Sequence, residues 1–140
     1  MIDKTVLNPI TDAIISEFKE KYGDNYLVGD YEDVEDGVEL PAIFIQLTNL
    51  EGVSNRIPGV FRANCTFRAY VCESFKGQGK RRVRDTALDI SAFVDGNFWG
   101  DIDTFTKGVF EYAEEDGFNE KIDSAEIWYV EWQQEIYIKK

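Results

Sequence analysis

Histidine is absent from this 140-residue chain. With it go Ser-His-Asp and Cys-His catalysis, histidine zinc sites and the usual proton shuttle near neutral pH. What remains for chemistry is carboxylates, a cluster of cations, a glycine-rich turn, two cysteines and a pair of nearby tryptophans. Asp101 with Asp103, or Glu114, Glu115 and Asp116, have the groups of general acids and bases. Adjacent acids in polar segments are usually solvated surface, and nothing in this spacing fixes a catalytic geometry. Gly77-Gln78-Gly79-Lys80 invites a phosphate-loop reading, but Ser74 stands where the first glycine belongs and Arg81 where Ser or Thr should bind magnesium. The dinucleotide fingerprint fails too, because Arg82 occupies the third glycine position. A calcium loop centred on Gly37 would place Glu32, Val34, Asp36 and Ile43 at ligand positions one, three, five and twelve, and two of these four cannot ligate. Trp128 and Trp132 could form a ligand platform, but on an apolar strand face they read as core. The expectation is no catalytic residue, no cofactor, no metal site and no enzymatic activity.

The cations are more informative. Lys76, Lys80, Arg81, Arg82 and Arg84 place five of the 15 basic residues within nine positions, against 27 acids in a chain of net charge -12. Four of them fall in the first turns of an expected helix, where the helix dipole already places partial positive charge, so the arrangement costs local stability. Two readings stand: a solvated loop and helix start balanced by Asp85, or a surface for contact with another protein. The opposite charge gathers at Asp30, Glu32, Asp33, Glu35, Asp36 and Glu39, which read as a solvated acidic loop. The net charge repels nucleic acid phosphate and anionic lipid, so neither nucleic acid recognition nor membrane association is expected.

The elements that must position these groups follow from periodicity. Ile10, Ala13, Ile14, Phe18 and Tyr22 predict a helix over residues 8–22, with Asn8 as N-cap, Pro9 at the first position and Gly23 as stop. A short strand over residues 26–28 follows. Residues 42–48, opened by Pro41, are apolar on both faces like a central strand. Residues 61–73 alternate strictly, with Phe61, Ala63, Cys65, Phe67, Ala69 and Val71 on one face and Arg62, Asn64, Thr66 and Arg68 on the other. The intervening loop, residues 49–59 with Gly52, Asn55, Pro58 and Gly59, predicts an antiparallel hairpin.

Val83, Ala87, Ile90 and Val94 predict a second helix over residues 80–94, and Gly96 lies just past its end. Within the aromatic, acidic residues 97–124 only a strand at 108–113 is discernible. Residues 126–138 form a closing strand, with Trp128, Val130, Trp132, Ile136 and Ile138 on one face and Gln134 breaking the pattern. The class is α+β: one domain with a mostly antiparallel sheet covered on one face by two helices. Cys65 and Cys72 lie in one extended strand, about 23 Å apart at ~3.3 Å per residue against the ~7 Å a disulfide spans. Unpaired cysteines, with no transmembrane run or signal peptide, suggest a reducing cytoplasm.

This layout resembles the tail terminator family of long-tailed bacteriophages, in its Mu-like and lambda-type branches. The resemblance is carried by the helix at residues 8–22, the strand Leu40-Pro41-Ala42-Ile43-Phe44-Ile45 and the alternating strand 61–71. The helix around Arg84-Asp85-Thr86-Ala87-Leu88-Asp89-Ile90 and the closing Ile127-Trp128-Tyr129-Val130-Glu131-Trp132-Gln133-Gln134 complete it. It covers most of the chain outside residues 97–124. It implies a structural protein that assembles as a ring, commonly a hexamer, on the end of the tail tube. There it stops growth and offers the surface onto which the head docks. Its partners would be itself, the tail tube protein and the head-tail connector. It would work in the bacterial host cytoplasm during assembly and reside in the virion tail.

A closed ring needs two different, complementary patches on each subunit. Lys76, Lys80, Arg81, Arg82 and Arg84 of one subunit could face a neighbour's acidic loop (Asp30, Glu32, Asp33, Glu35 and Asp36), or its residues 111–116. A rival reading is an acidic immunity or inhibitor protein whose carboxylates occupy a basic site on an enzyme.

Overall fold

The computed structural model describes residues 7–35, 37–53, 58–117, 119, 121–122 and 124–139. Two helices and five strands follow in the order α1 (Leu7–Tyr22), β1 (Leu27–Asp30), β2 (Ala42–Gly52), β3 (Val60–Glu73), α2 (Gly79–Val94), β4 (Val109–Glu115) and β5 (Glu126–Lys139). A 3-10 turn, Tyr31–Asp33, follows β1. The strands form one sheet in the order β1-β2-β3-β5-β4. Three of its four pairings are antiparallel, and β1 runs parallel to β2. The class is α+β, and the sheet is mixed. The parallel pairing follows from connectivity: β1 reaches the start of β2 through residues 31–41 folded across the sheet, not through a hairpin.

Each element has a sequence cause. Helix α1 buries Ile10, Ile14, Ile15, Phe18 and Tyr22 along one stripe. It begins at Leu7, so Asn8 lies inside the first turn and does not cap it; Pro9 follows where no amide donor is needed. The β2–β3 hairpin is longer than expected. Pairing continues to Gly52 against Ala63 past a bulge at Leu47/Asn49, which shortens the connecting loop, and Asn55 lies outside the described residues. Strands β3 and β5 pair without interruption from Val60 against Lys139 to Glu73 against Glu126.

Alternation along β3 and β5 gives the sheet two different faces. Both helices pack on the first, where Ile43, Phe67, Val130 and Trp132 meet Phe18, Val83 and Ile90 in the main core. The Phe18 ring sits among Trp99, Trp132, Phe93 and Tyr22 at centroid distances of 5.2 to 6.2 Å. The second face is half covered. Tyr31, Val34, Val38 and Leu40 lie over Phe44, Tyr70, Ile127 and Tyr129, joined by Ile122 and Ala125. The acidic segment is thus more than a solvated loop. Its apolar residues alternate with its acids and make it a strap with a buried underside. Cys65 belongs to the first core and Cys72 to the second, and both are free. No helix in the described residues is long and apolar enough to cross a membrane.

Residues 97–108, where periodicity predicts no element, are held by Gln134. Its side chain is buried among apolar neighbours. Its Nε2 donates to the carbonyls of Asn97 and Thr106, both at 2.7 Å, and its Oε1 accepts the indole N–H groups of Trp99 at 2.6 Å and Trp132 at 3.1 Å. Trp99 has φ +55°, a left-handed conformation that costs a bulky residue about 1 kcal/mol or more. The Gln134 bond and the aromatic packing hold it there.

Candidate assembly surfaces

Helix α2 carries the cationic cluster on its first turns, as its sequence implies. Gly77 (φ +65°) makes the turn, and Gly79 starts the helix so close to the chain that a Cβ would collide with the Ser74 carbonyl oxygen. That close approach explains the Gly-Gln-Gly spelling. The cations then divide. Arg82 keeps over half of its side chain exposed but pairs with the body, its Nε 3.4 Å from a carboxylate oxygen of Glu73, which is only 3% exposed. The Tyr26 hydroxyl donates to the other Glu73 oxygen at 2.7 Å and meets the Thr86 hydroxyl at 2.8 Å. Burial, above all, pushes the Tyr26 phenol up to about 12. These four side chains tie β3, α2 and the turn before β1 together.

The other four cations point away from the body. Lys76, Lys80, Arg81 and Arg84 are exposed; Arg84 lies 4.0 Å from Asp85, and the other three make no ion pair among the described residues. Arg81, Arg84 and Leu88 fall at helical spacing on one stripe. Leu88 is 73% exposed, and Phe75, in the turn leading to the helix, is 58% exposed. The surface is a mixed basic and apolar ridge.

The expected acidic counterpart is partly engaged within its own chain. Asp30 accepts the Glu32 backbone amide at 2.9 Å, capping the 3-10 turn. Glu32 lies 3.8 Å from Lys121 Nζ and accepts from Gln46 Nε2 at 3.3 Å. The Lys121 ammonium also donates to the Tyr31 carbonyl at 3.1 Å and sits over the Tyr31 ring, so it clamps the strap down. Asp33 and Glu35 are exposed, and Asp36 lies outside the described residues. The strap covers the sheet face opposite α2, so one chain does not bring the two charged segments together.

Strand β4 is a second acidic surface, on a free edge of the sheet. Val109, Phe110 and Tyr112 are exposed there beside Glu111, Glu114 and Glu115, and these three carboxylates make no ion pair among the described residues. Glu114 accepts the Tyr129 hydroxyl in a short hydrogen bond. Burial first, then that bond, raise the Tyr129 phenol well above its ordinary range. A bulge between Phe110 and Tyr112 and the neighbouring charges guard the edge against indiscriminate strand pairing.

The remaining candidates resolve into structure. Asp101 accepts the amides of Asp103 and Thr104, both at 3.0 Å, and the Thr104 hydroxyl at 2.9 Å; the Thr104 bonds foremost hold its carboxyl below the usual range. Trp132 is fully buried and Trp128 packs at the border of the same core. The open half of the second sheet face carries cross-strand pairs, Arg68 with Glu131 and Arg62 with Glu135, each at 2.9 Å. Beside them Arg68, Tyr70, Gln46, Asn119 and Lys121 line a cavity of about 570 Å³ whose polar groups bond mainly to one another. No three His, Cys, Asp or Glu side chains cluster as metal ligands among the described residues.

Sequence reasoning missed Gln134, Lys121 and the Glu73–Tyr26 pair. Gln134 alone had a signal, as the one polar residue on an apolar strand face. Compared with known proteins, the chain matches no protein-family model and no curated sequence.

Proposed function

We propose that this chain is a structural, non-enzymatic tail terminator of a long-tailed phage or prophage, which closes as a ring on the tail tube and presents the surface for head docking. The observation that carries this reading is the exposed cationic ridge of α2, largely unpaired within a chain of net charge -12. Such a ridge asks for an acidic surface, and every copy of the chain carries one elsewhere. Two different complementary patches on one subunit produce head-to-tail contacts, which close into a ring when the rotation permits. The order of helices and strands agrees with the layout on which the family resemblance rests. An acidic inhibitor would use its carboxylates and leave the ridge without a role.

The test is native mass as a function of concentration, with and without magnesium, followed by negative-stain microscopy and addition to growing tail tubes. A closed ring, or arrest of tube growth at a capped end, supports the reading. A monomer under every condition that leaves tube length unchanged overturns it.

A further inference from the structure

We infer that the surface receiving the α2 ridge is the outer edge of β4 on a second copy of this chain, not the acidic strap. This rests on the ring reading above and names the contact within it. Large exposed apolar side chains gather at two places. Phe75 and Leu88 flank the cations of the ridge, and Val109, Phe110 and Tyr112 line the edge of β4 among its carboxylates, Phe110 on the helix side of the sheet and Val109 and Tyr112 on the other; Leu27, Leu50 and Ile102 belong to neither group. The strap has no large exposed apolar residue among its described positions, and its Asp30 and Glu32 are already bonded. Ile102 between Asp101 and Asp103, and Leu50 beside Glu51, are single exposed side chains, and Asp101 is already bonded to Thr104; among the described residues the edge of β4 matches the ridge over the larger surface in both properties, opposite charge and exposed apolar side chains.

The two surfaces also fit a head-to-tail contact because they do not overlap. The first turn of α2 lies against the end of β3 and the turn before β1, through Arg82, Glu73, Thr86 and Tyr26. Its last turn reaches the start of β4, where Asp95 accepts the Phe110 amide at 3.1 Å and the Gly96 amide donates to the Gly108 carbonyl. At ~1.5 Å per residue, Arg81 lies about 21 Å and Leu88 about 10 Å along the helix from Asp95. The ridge faces outward from the helix layer and the β4 edge faces sideways from the sheet. A two-fold contact of β4 on β4 would instead set carboxylates against carboxylates and bury the ridge against nothing.

The experiment uses two variants of the full chain. Arg81→Glu with Arg84→Glu reverses the ridge while sparing Arg82, which supports the fold. Glu111→Lys with Glu115→Lys reverses the edge while sparing Glu114, which holds Tyr129. Circular dichroism and melting establish that each is folded. Each variant alone is expected to stay monomeric at concentrations where the wild type forms rings. An equimolar mixture is expected to recover rings, because each subunit's ridge then meets an edge of opposite sign, and those rings hold an even number of alternating subunits. In the wild-type background, Leu88→Ser is expected to weaken association at least tenfold.

Rings formed by the edge-reversed variant as readily as by the wild type would overturn the contact and leave the ring reading standing. So would folded variants whose mixture fails to assemble; a dimer indifferent to ridge reversal, formed in place of rings, would overturn the contact and the ring reading alike. A wild-type chain that never assembles, alone or on tubes, removes the ring reading and this contact together.

Discussion

Gln134 is a polar side chain in a core position whose every hydrogen-bonding capacity is used, by two backbone carbonyls and two indoles. Replacing it with leucine of similar reach would preserve apolar packing but strand those four partners. Buried groups left without partners cost about 1–3 kcal/mol each before relaxation. Gln134→Leu is therefore expected to destabilise the fold by about 3 kcal/mol in urea denaturation, with loss of near-ultraviolet signal from Trp99. Glu17 is the opposite case. One carboxylate oxygen is buried without a partner, and burial first, then Glu20, raise its pKa above the ordinary 4.5. A carboxyl whose folded pKa is raised loses stability as pH rises through that value, so its charge is a cost at neutral pH. Glu17→Gln is expected to stabilise the protein by about 0.5 kcal/mol at pH 7, solvent screening having reduced the effect. The gain should fade as pH falls through that raised value and be largely gone below the ordinary 4.5, which paired urea titrations at pH 7 and pH 4 would read.

Among the elements, α2 was the most legible in sequence, because Val83, Ala87, Ile90 and Val94 mark one face and all four are buried. Strands β3 and β5 were legible by the same logic at period two, and β2 as a short run apolar on both faces. Two features escaped. The parallel placement of β1 is a matter of topology, which local periodicity does not encode. The strap's underside was hidden because Tyr31, Val34, Val38 and Leu40 are diluted by acids that dominate any composition window. The ridge was visible as charge, yet the pairing of Arg82 with Glu73 depends on a fold that buries Glu73 beside Tyr26, a residue distant in sequence. That pairing separates two otherwise similar substitutions. Arg82→Glu would set a second carboxylate beside the buried Glu73 and is expected to lower the melting temperature of the monomer, whereas Arg81→Glu should leave it unchanged. Tyr26→Phe, which removes the donor to Glu73, should cost about 1 kcal/mol in the same assay.

For the whole molecule, charge segregation predicts kinetics more than affinity. Complementary patches chiefly accelerate encounter, and the acceleration is screened beyond the Debye length, ~10 Å at 0.1 M salt. On the ring reading proposed above, association followed by light scattering should slow by roughly tenfold between 50 mM and 500 mM salt. Dissociation of rings already formed should change far less, because the apolar side chains and close contacts that hold them are screened little.

The pairing of β3 with β5 along their full length has a temporal side. Strand β5 lies between β3 and β4 in the sheet, yet it follows every other element in sequence. Trp132 and Gln134, which fill the core and pin residues 97–108, arrive with it. Without it β1, β2 and β3 still pair as three strands, but β3 keeps an open edge and β4 has no strand to pair with. The β4 edge on which the proposed contact relies therefore exists only once β5 has docked between β3 and β4.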